Sequence, residues 1–193
     1  YTTTLNITNG GPPGEDWAIE RDDPHDDAKL RHFWPHGAID QMMLRRQWRR
    51  LPEYRFPAIA ADAAAVQKEG GLVGMGSHGE TPGIGFHYEM ELHAAGGMTP
   101  LAILHAATIG SAETIGRQAD LGSIEPGKRA DLVLLDRDPR ADIHNARAVG
   151  QVMRDGVLYD AATLDEIWPL AKPQPSAWFA GDGAQARWLP VER

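Results

Sequence analysis

An α/β fold is what this sequence predicts, and three observations carry that expectation. The chain opens with a β-branched run at 2–8 (Thr-Thr-Thr-Leu-Asn-Ile-Thr) that closes on glycines and prolines. A second run, Leu72-Val73-Gly74-Met75-Gly76, is short, apolar and small, as suits a strand buried on both faces, and it stands between helix-like segments. Beyond about Gly116 the pattern changes to short strand-like runs separated by turns. Helix, glycine break, strand, loop, helix is the grammar of parallel α/β structure, and the final part reads as a separate small β unit.

Taken in order, the first strand candidate (2–8) runs into Asn9-Gly10-Gly11-Pro12-Pro13-Gly14, and the charged stretch 15–35 reads as a solvated loop. Leu44, Trp48 and Leu51 then form one apolar stripe at helical spacing, with Arg45, Arg46, Arg49 and Arg50 interleaved. An amphipathic surface helix is the plain reading, and a site for an anionic substrate or partner is the other. Residues 56–69 are alanine-rich and end at Gly70-Gly71, a helix with a glycine C-cap. The strand candidate 72–76 leads into a glycine-rich loop, Ser77-His78-Gly79-Glu80-Thr81-Pro82-Gly83-Ile84-Gly85, and a helix over 86–95. Thr99 followed by Pro100 marks the start of the next helix, an N-cap with proline at the first helical position. Strands are then expected at 121–124, 130–135 and 149–159, the last folded into a hairpin at Asp155-Gly156. The tail from Lys172 shows no clear period.

Composition narrows the function classes. With 193 residues and 42% hydrophobic content, the chain can bury a core in one or two compact units. Twenty-seven acidic against 19 basic residues leave a net charge of −8, which argues against binding nucleic acid. The absence of cysteine excludes a disulfide scaffold and a thiolate metal site. No run approaches the ~20 apolar residues of a membrane helix. A soluble chain without a membrane span, in cytoplasm or periplasm, is therefore expected, and its opening resembles the middle of a protein rather than a leader.

The strongest chemistry stands where the apolar strand ends, because functional groups of parallel α/β folds collect at carboxyl ends of strands. His78 is the first side chain there with chemical reach, Glu80 follows two residues on, and His87 and Glu89 open the next helix. His87 and Glu91, and likewise Glu89 and His93, are spaced i, i+4 and can share a helical face. Such carboxylates and imidazoles can bind a divalent metal or move protons; alternatively they make ordinary polar contacts, the plainer reading for His93 and His105. His25, His32 and His36 fall in the charged stretch, where only tertiary folding can bring them to a site. No Gly-x-Ser-x-Gly elbow occurs, and Gly74-x-Gly76-x-x-Gly79 matches the dinucleotide pattern without its early helix or ribose-binding acid.

One string reaches further. Leu121-Gly122-Ser123-Ile124-Glu125-Pro126-Gly127-Lys128-Arg129-Ala130-Asp131-Leu132-Val133-Leu134-Leu135-Asp136 resembles the closing signature of the metal-dependent amidohydrolase superfamily. Gly97-Met98-Thr99-Pro100-Leu101 and Ala106-Ala107-Thr108-Ile109 are similar to the helices after its last barrel strand. Ser77-His78-Gly79-Glu80 with Gly85-Phe86-His87-Tyr88-Glu89 resembles the imidazolonepropionase-like branch, some members of which are fused to a TolB-type propeller.

The resemblance implies a (β/α)8 TIM-type barrel plus a small β-sandwich, and a barrel alone takes about 250 residues. The chain then corresponds to the C-terminal part. Residues 1–116 would hold the last two strands (2–8 and 72–76) and following helices, 117–165 a sandwich portion, and 166–193 a tail. The family's other ligands, among them the His-x-His of its first strand, fall outside it. The eighth strand usually ends in Gly-[Ser/Thr]-Asp, whereas this sequence has Gly76-Ser77-His78. His78 is carried over as catalytic residue and metal ligand, since a neutral imidazole of pKa ~6.5 can coordinate or accept a proton. Glu80, His87 and Glu89 are carried over as substrate-pocket residues, and Asp131 as a structural turn contact. The implied activity is hydrolysis of a C–N bond in a cyclic amide or peptide-like small molecule by metal-activated water, with zinc as the divalent metal. The implied partner is the N-terminal part of the same protein or a second copy. The alternatives are a non-catalytic half-barrel used for assembly, and one chain of a two-chain enzyme.

Overall fold

The computed structural model describes residues 1–8, 13–45, 47, 49–79, 81–177 and 179. It is a mixed α/β structure. Strand β1 (Thr2–Thr3) is followed by helices α1 (Pro13–Ile19), α2 (Ala28–Phe33), α3 (His36–Arg45) and α4 (Phe56–Lys68), and then by strand β2 (Gly74–Met75). Helices α5 (Ile84–Ala95), α6 (Pro100–His105) and α7 (Ser111–Thr114) come next, the last two joined by a π-wound turn at Ala106–Gly110. Strands β3 (Leu132–Leu135), β4 (Val149–Arg154), β5 (Val157–Asp160) and β6 (Glu166–Trp168) complete the order. Among the described residues no helix is long and apolar enough to cross a membrane.

β1 and β2 pair in parallel, Thr2 opposite Gly74 and Thr3 opposite Met75, as expected of the two apolar runs. Both strands are shorter than predicted. After Thr3 the chain winds into a 3₁₀ turn at Leu5–Ile7, because the amides of Leu5 and Asn6 are drawn off the ladder by the Glu89 carboxylate.

The stretch 15–35 is not the predicted loop. Its acids act as helix starts: Glu15 and Asp16 lie in the first turn of α1, Asp23 accepts from the His25 amide, and Asp27 accepts from the Leu30 amide. Ala18, Ile19 and Leu30 are buried, so these short helices carry part of the core. The predicted stripe on the arginine-rich segment is also corrected. Helix α3 ends at Arg45, Leu51 opens a 3₁₀ turn, and Leu44 and Leu51 are 78% and 60% exposed. Ile39, Met42 and Met43 make the packed face instead, while Arg46 and Trp48 lie outside the described residues.

Helices α4, α5 and α6 stand close to where their caps place them, and the Thr99 hydroxyl accepts from the Ala102 amide at 3.4 Å. Three hydrophobic clusters meet on α5, through Met90, through Ile84 and Tyr88, and through Leu92. α5 is buried on nearly every side, its Glu89, Glu91 and His93 included, and is the hub of this fold.

The final part is one antiparallel sheet in the order β3-β4-β5-β6. The predicted strand at 121–124 is absent, because turns occupy that stretch and Gly122, at φ +92°, packs onto Ile109 and Ala112. The hairpin stands as predicted: Arg154 faces Val157 and Met153 faces Leu158, with Asp155 at φ 52° and Gly156 at φ 82° between them. The turn is braced from β3's approach, where Asp131 accepts from the Asp155 amide at 2.6 Å and the Ala130 carbonyl accepts from Gly156. Of the tail, residues beyond 179 and Trp178 lie outside the described residues.

Candidate functional site

The end of β2 leads directly to His78. The backbone there turns left-handed at two successive residues, His78 (φ 60°) and Gly79 (φ 80°), and the His78 side chain is exposed. Non-glycine residues rarely take this conformation. Glu80 lies outside the described residues.

His87 sits one turn into α5 and is half-buried. It lines a cleft of about 330 Å³ between α2, the start of α5 and β4, whose walls include Trp34, Ile84, Arg147 and Val152. Burial holds the His87 imidazole below its ordinary pKa, with Asp27 opposing and Lys29 assisting, and its Nδ1 has no hydrogen-bond partner. The cleft therefore offers a neutral ring in apolar surroundings. Lys29 ties α2 to the sheet by donating to the Val149 carbonyl.

Glu89 is wholly buried and turned away from this cleft. Its two oxygens accept from the Leu5 amide at 2.7 Å and the Asn6 amide at 3.0 Å. His93, one turn on, places Nε2 2.7 Å from Thr3 Oγ1 and 3.6 Å from Glu89. Thus the predicted Glu89–His93 pair does share a face, and it clamps the segment after β1 onto α5. Glu91 finds Arg147, which donates from Nε and Nη2 to its two oxygens at 2.6 Å each. Burial pushes the Glu91 carboxyl up to about 7, with His144 opposing and Asp142 assisting. The bidentate guanidinium of Arg147 acts the other way, favouring the carboxylate form. Arg147 also pairs with Asp22 and lies 5.1 Å over the Tyr88 ring, so it staples α1's exit and the sheet's approach to α5.

Two of the three histidines left to tertiary folding, His25 and His36, do come together, with Asp40, which the sequence did not single out. His25, His36 and Asp40 bring one ligand atom each within 4.8 Å of one another, the only such group of three among the described residues. Asp40 accepts from His25 Nε2 at 2.8 Å, and Asp23 sits 2.8 Å from His25 Nδ1. Burial would lower the His25 pKa, but the hydrogen bonds to Asp40 and Asp23 outweigh it and raise the value. The one local signal was the i, i+4 spacing of His36 and Asp40. His78 belongs to no such group, so the described residues assemble no metal centre around it.

Comparison with known proteins decides the family. The profile of the Amidohydrolase family matches residues 34–159. The chain belongs to the amidohydrolase family. An imidazolonepropionase from Shouchella clausii (strain KSM-K16) is 49% identical over 55 residues, 28% of this chain and 12% of that protein. An ochratoxinase from Aspergillus niger is 30% identical over 122 residues, 61% of this chain and 25% of the relative. Among solved structures, a Xaa-Pro dipeptidase aligns with TM-score 0.50 at 22% identity over 68% of this chain and 33% of that one, a likeness of fold. This amidohydrolase chain therefore spans a quarter or less of these curated relatives.

Proposed function

We propose that the chain is the C-terminal portion of a metal-dependent hydrolase that cleaves C–N bonds in a cyclic amide or peptide-like small molecule. The observation that carries this reading is the family match over 34–159 in a chain that spans only 25% of the ochratoxinase it aligns with. In this reading β1 and β2 are the seventh and eighth strands of a (β/α)8 barrel, residues 1–116 are barrel, 117–165 contribute to a small β-sandwich, and 166–193 form a tail. The parallel β1–β2 pairing with four helices between the strands supports it, since parallel neighbours need a crossover.

His78 is the strand-end residue of the site. Its imidazole can take a proton from an attacking water, whose oxygen forms the new C–O bond, and return that proton to the departing nitrogen, so that the C–N and O–H bonds broken are balanced by the C–O and N–H bonds formed. His87 stands in the cleft as a neutral ring against which a substrate can pack or hydrogen-bond, Glu80 is carried as a pocket residue from the sequence alone, and Glu89 serves by holding the segment after β1. Zinc is the family's expectation for the intact protein. The described residues do not gather a ligand set at His78.

The test uses the intact protein that carries this chain. Hydrolysis of cyclic amides and N-acyl amino acids is followed by released amine, before and after chelation and zinc restoration. Activity that is lost on chelation and returns with zinc is expected, and no hydrolysis by well-folded, metal-loaded protein overturns the reading. His78→Ala is expected to lower kcat by at least about a hundredfold with the unfolding midpoint little changed. Full activity in that variant removes His78 from the site.

A further inference from the structure

We propose that His25, His36 and Asp40 form a transition-metal site of the zinc type, with Asp23 orienting His25 from behind.

The elements that build it come from two places in the chain. His25 stands in the 3₁₀ turn Pro24–Asp26, which Asp23 caps by accepting from the His25 amide at 2.9 Å. The same Asp23 oxygen lies 2.8 Å from His25 Nδ1, so one carboxylate holds both the backbone and the ring. His36 and Asp40 lie one turn apart on α3 and share a face.

The ring orientation follows. With Nδ1–H donated to Asp23, the proton that Nε2 shares with Asp40 Oδ1 at 2.8 Å is the one an incoming metal displaces, which frees the Nε2 lone pair beside that oxygen. A carboxylate behind a ligating imidazole is the usual outer partner of a histidine that binds metal, since it fixes tautomer and orientation together. His36 Nε2 is 3.5 Å from the same Asp40 oxygen. Ligands about 2.1 Å from a tetrahedral zinc stand about 3.4 Å apart. Two of the three spacings thus already bracket that value. The third lies within 4.8 Å, and a small turn of the half-exposed His36 ring closes it.

The ligand chemistry selects the ion class. Two imidazoles and one carboxylate suit zinc and its first-row neighbours, whereas calcium and magnesium prefer all-oxygen shells. Three protein ligands leave a fourth position for water or for a group from another molecule.

The test needs no turnover, so its failure and the failure of the hydrolase reading are separable. Zinc is titrated into the metal-free 193-residue chain at neutral pH against a chromophoric chelator. One tightly bound equivalent is expected. His36→Ala, on a half-exposed helix position, should weaken it by at least about tenfold, and Asp23→Asn by about 10–100-fold through His25 alone. His32→Ala, an exposed histidine on α2, should leave it unchanged. Circular dichroism checks that each variant is folded, and His36→Gln replaces His36→Ala if the latter unfolds. Cobalt loading gives a second readout, a visible absorption band that should vanish with His36. No bound zinc, or zinc held equally well by folded His36→Ala and His36→Gln, overturns the proposal.

Discussion

At the scale of single residues, Glu89 shows how a charged group can be interior structure. A carboxylate with no solvent exposure survives only if donors replace its water, and the Leu5 and Asn6 amides do so. Replacing it with leucine would strand both buried amides, each at about 1–3 kcal/mol, so Glu89→Leu is expected to cost about 3 kcal/mol of stability. Glu89→Gln keeps one acceptor and should cost less. Denaturant unfolding of both variants checks this order, and wild-type stability in Glu89→Leu would refute the clamp. The sequence marks Glu89 as a site residue and pairs it with His93 by spacing, and that pairing is present. What spacing cannot carry is a partner 84 positions away in the chain. The same limit hides His25, whose neighbour Asp40 is 15 residues on and in another helix.

At the scale of elements, local chemistry is legible wherever it closes on itself. The Thr99-Pro100 start, the Asp155-Gly156 turn and the alanine-rich α4 all stand as read, because each needs only residues a few positions apart. The strand 2–8 shrinks to two residues because Glu89 of α5 takes the amides of Leu5 and Asn6, and 72–76 pairs with it over the same two rungs. The acids of 15–35 misled for a related reason: charge suggests solvent, but a cap is also charged. One contact between elements has a steric test. Gly96 ends α5 against α4, where an added Cβ would stand 2.3 Å from the Ala60 Cβ and 2.6 Å from the Ala60 carbonyl carbon. Gly96 has φ −83°, so backbone strain plays no part. Gly96→Ala is expected to destabilise the chain by about 1–3 kcal/mol through overpacking. Adding Ala60→Gly should recover only part of that, since the backbone atom remains in the way. Thermal melts of the single and double variants measure both steps, and an unaffected single variant would show that the helices part freely.

At the scale of the whole molecule, the layers are unevenly covered. The three clusters around α5 are closed, but no residue of β3, β4, β5 or β6 is fully buried, and Val133 and Trp168 are 59% and 58% exposed. An antiparallel sheet normally packs one face on a core, and apolar side chains on the open faces invite a covering layer. β1 and β2 form a parallel pair alone, so each presents an edge among the described residues, and parallel strands are seldom left in that state. The chain by itself is therefore expected to associate. In sedimentation equilibrium its weight-average mass should exceed that of a monomer and rise with concentration. Val133→Lys and Trp168→Lys together place charge on the exposed sheet without touching the clusters around α5, so they should shift the distribution toward monomer while the helical circular dichroism signal stays. A wild-type chain that remains monomeric at every concentration, with cooperative unfolding, would mean that the open sheet is satisfied by water alone.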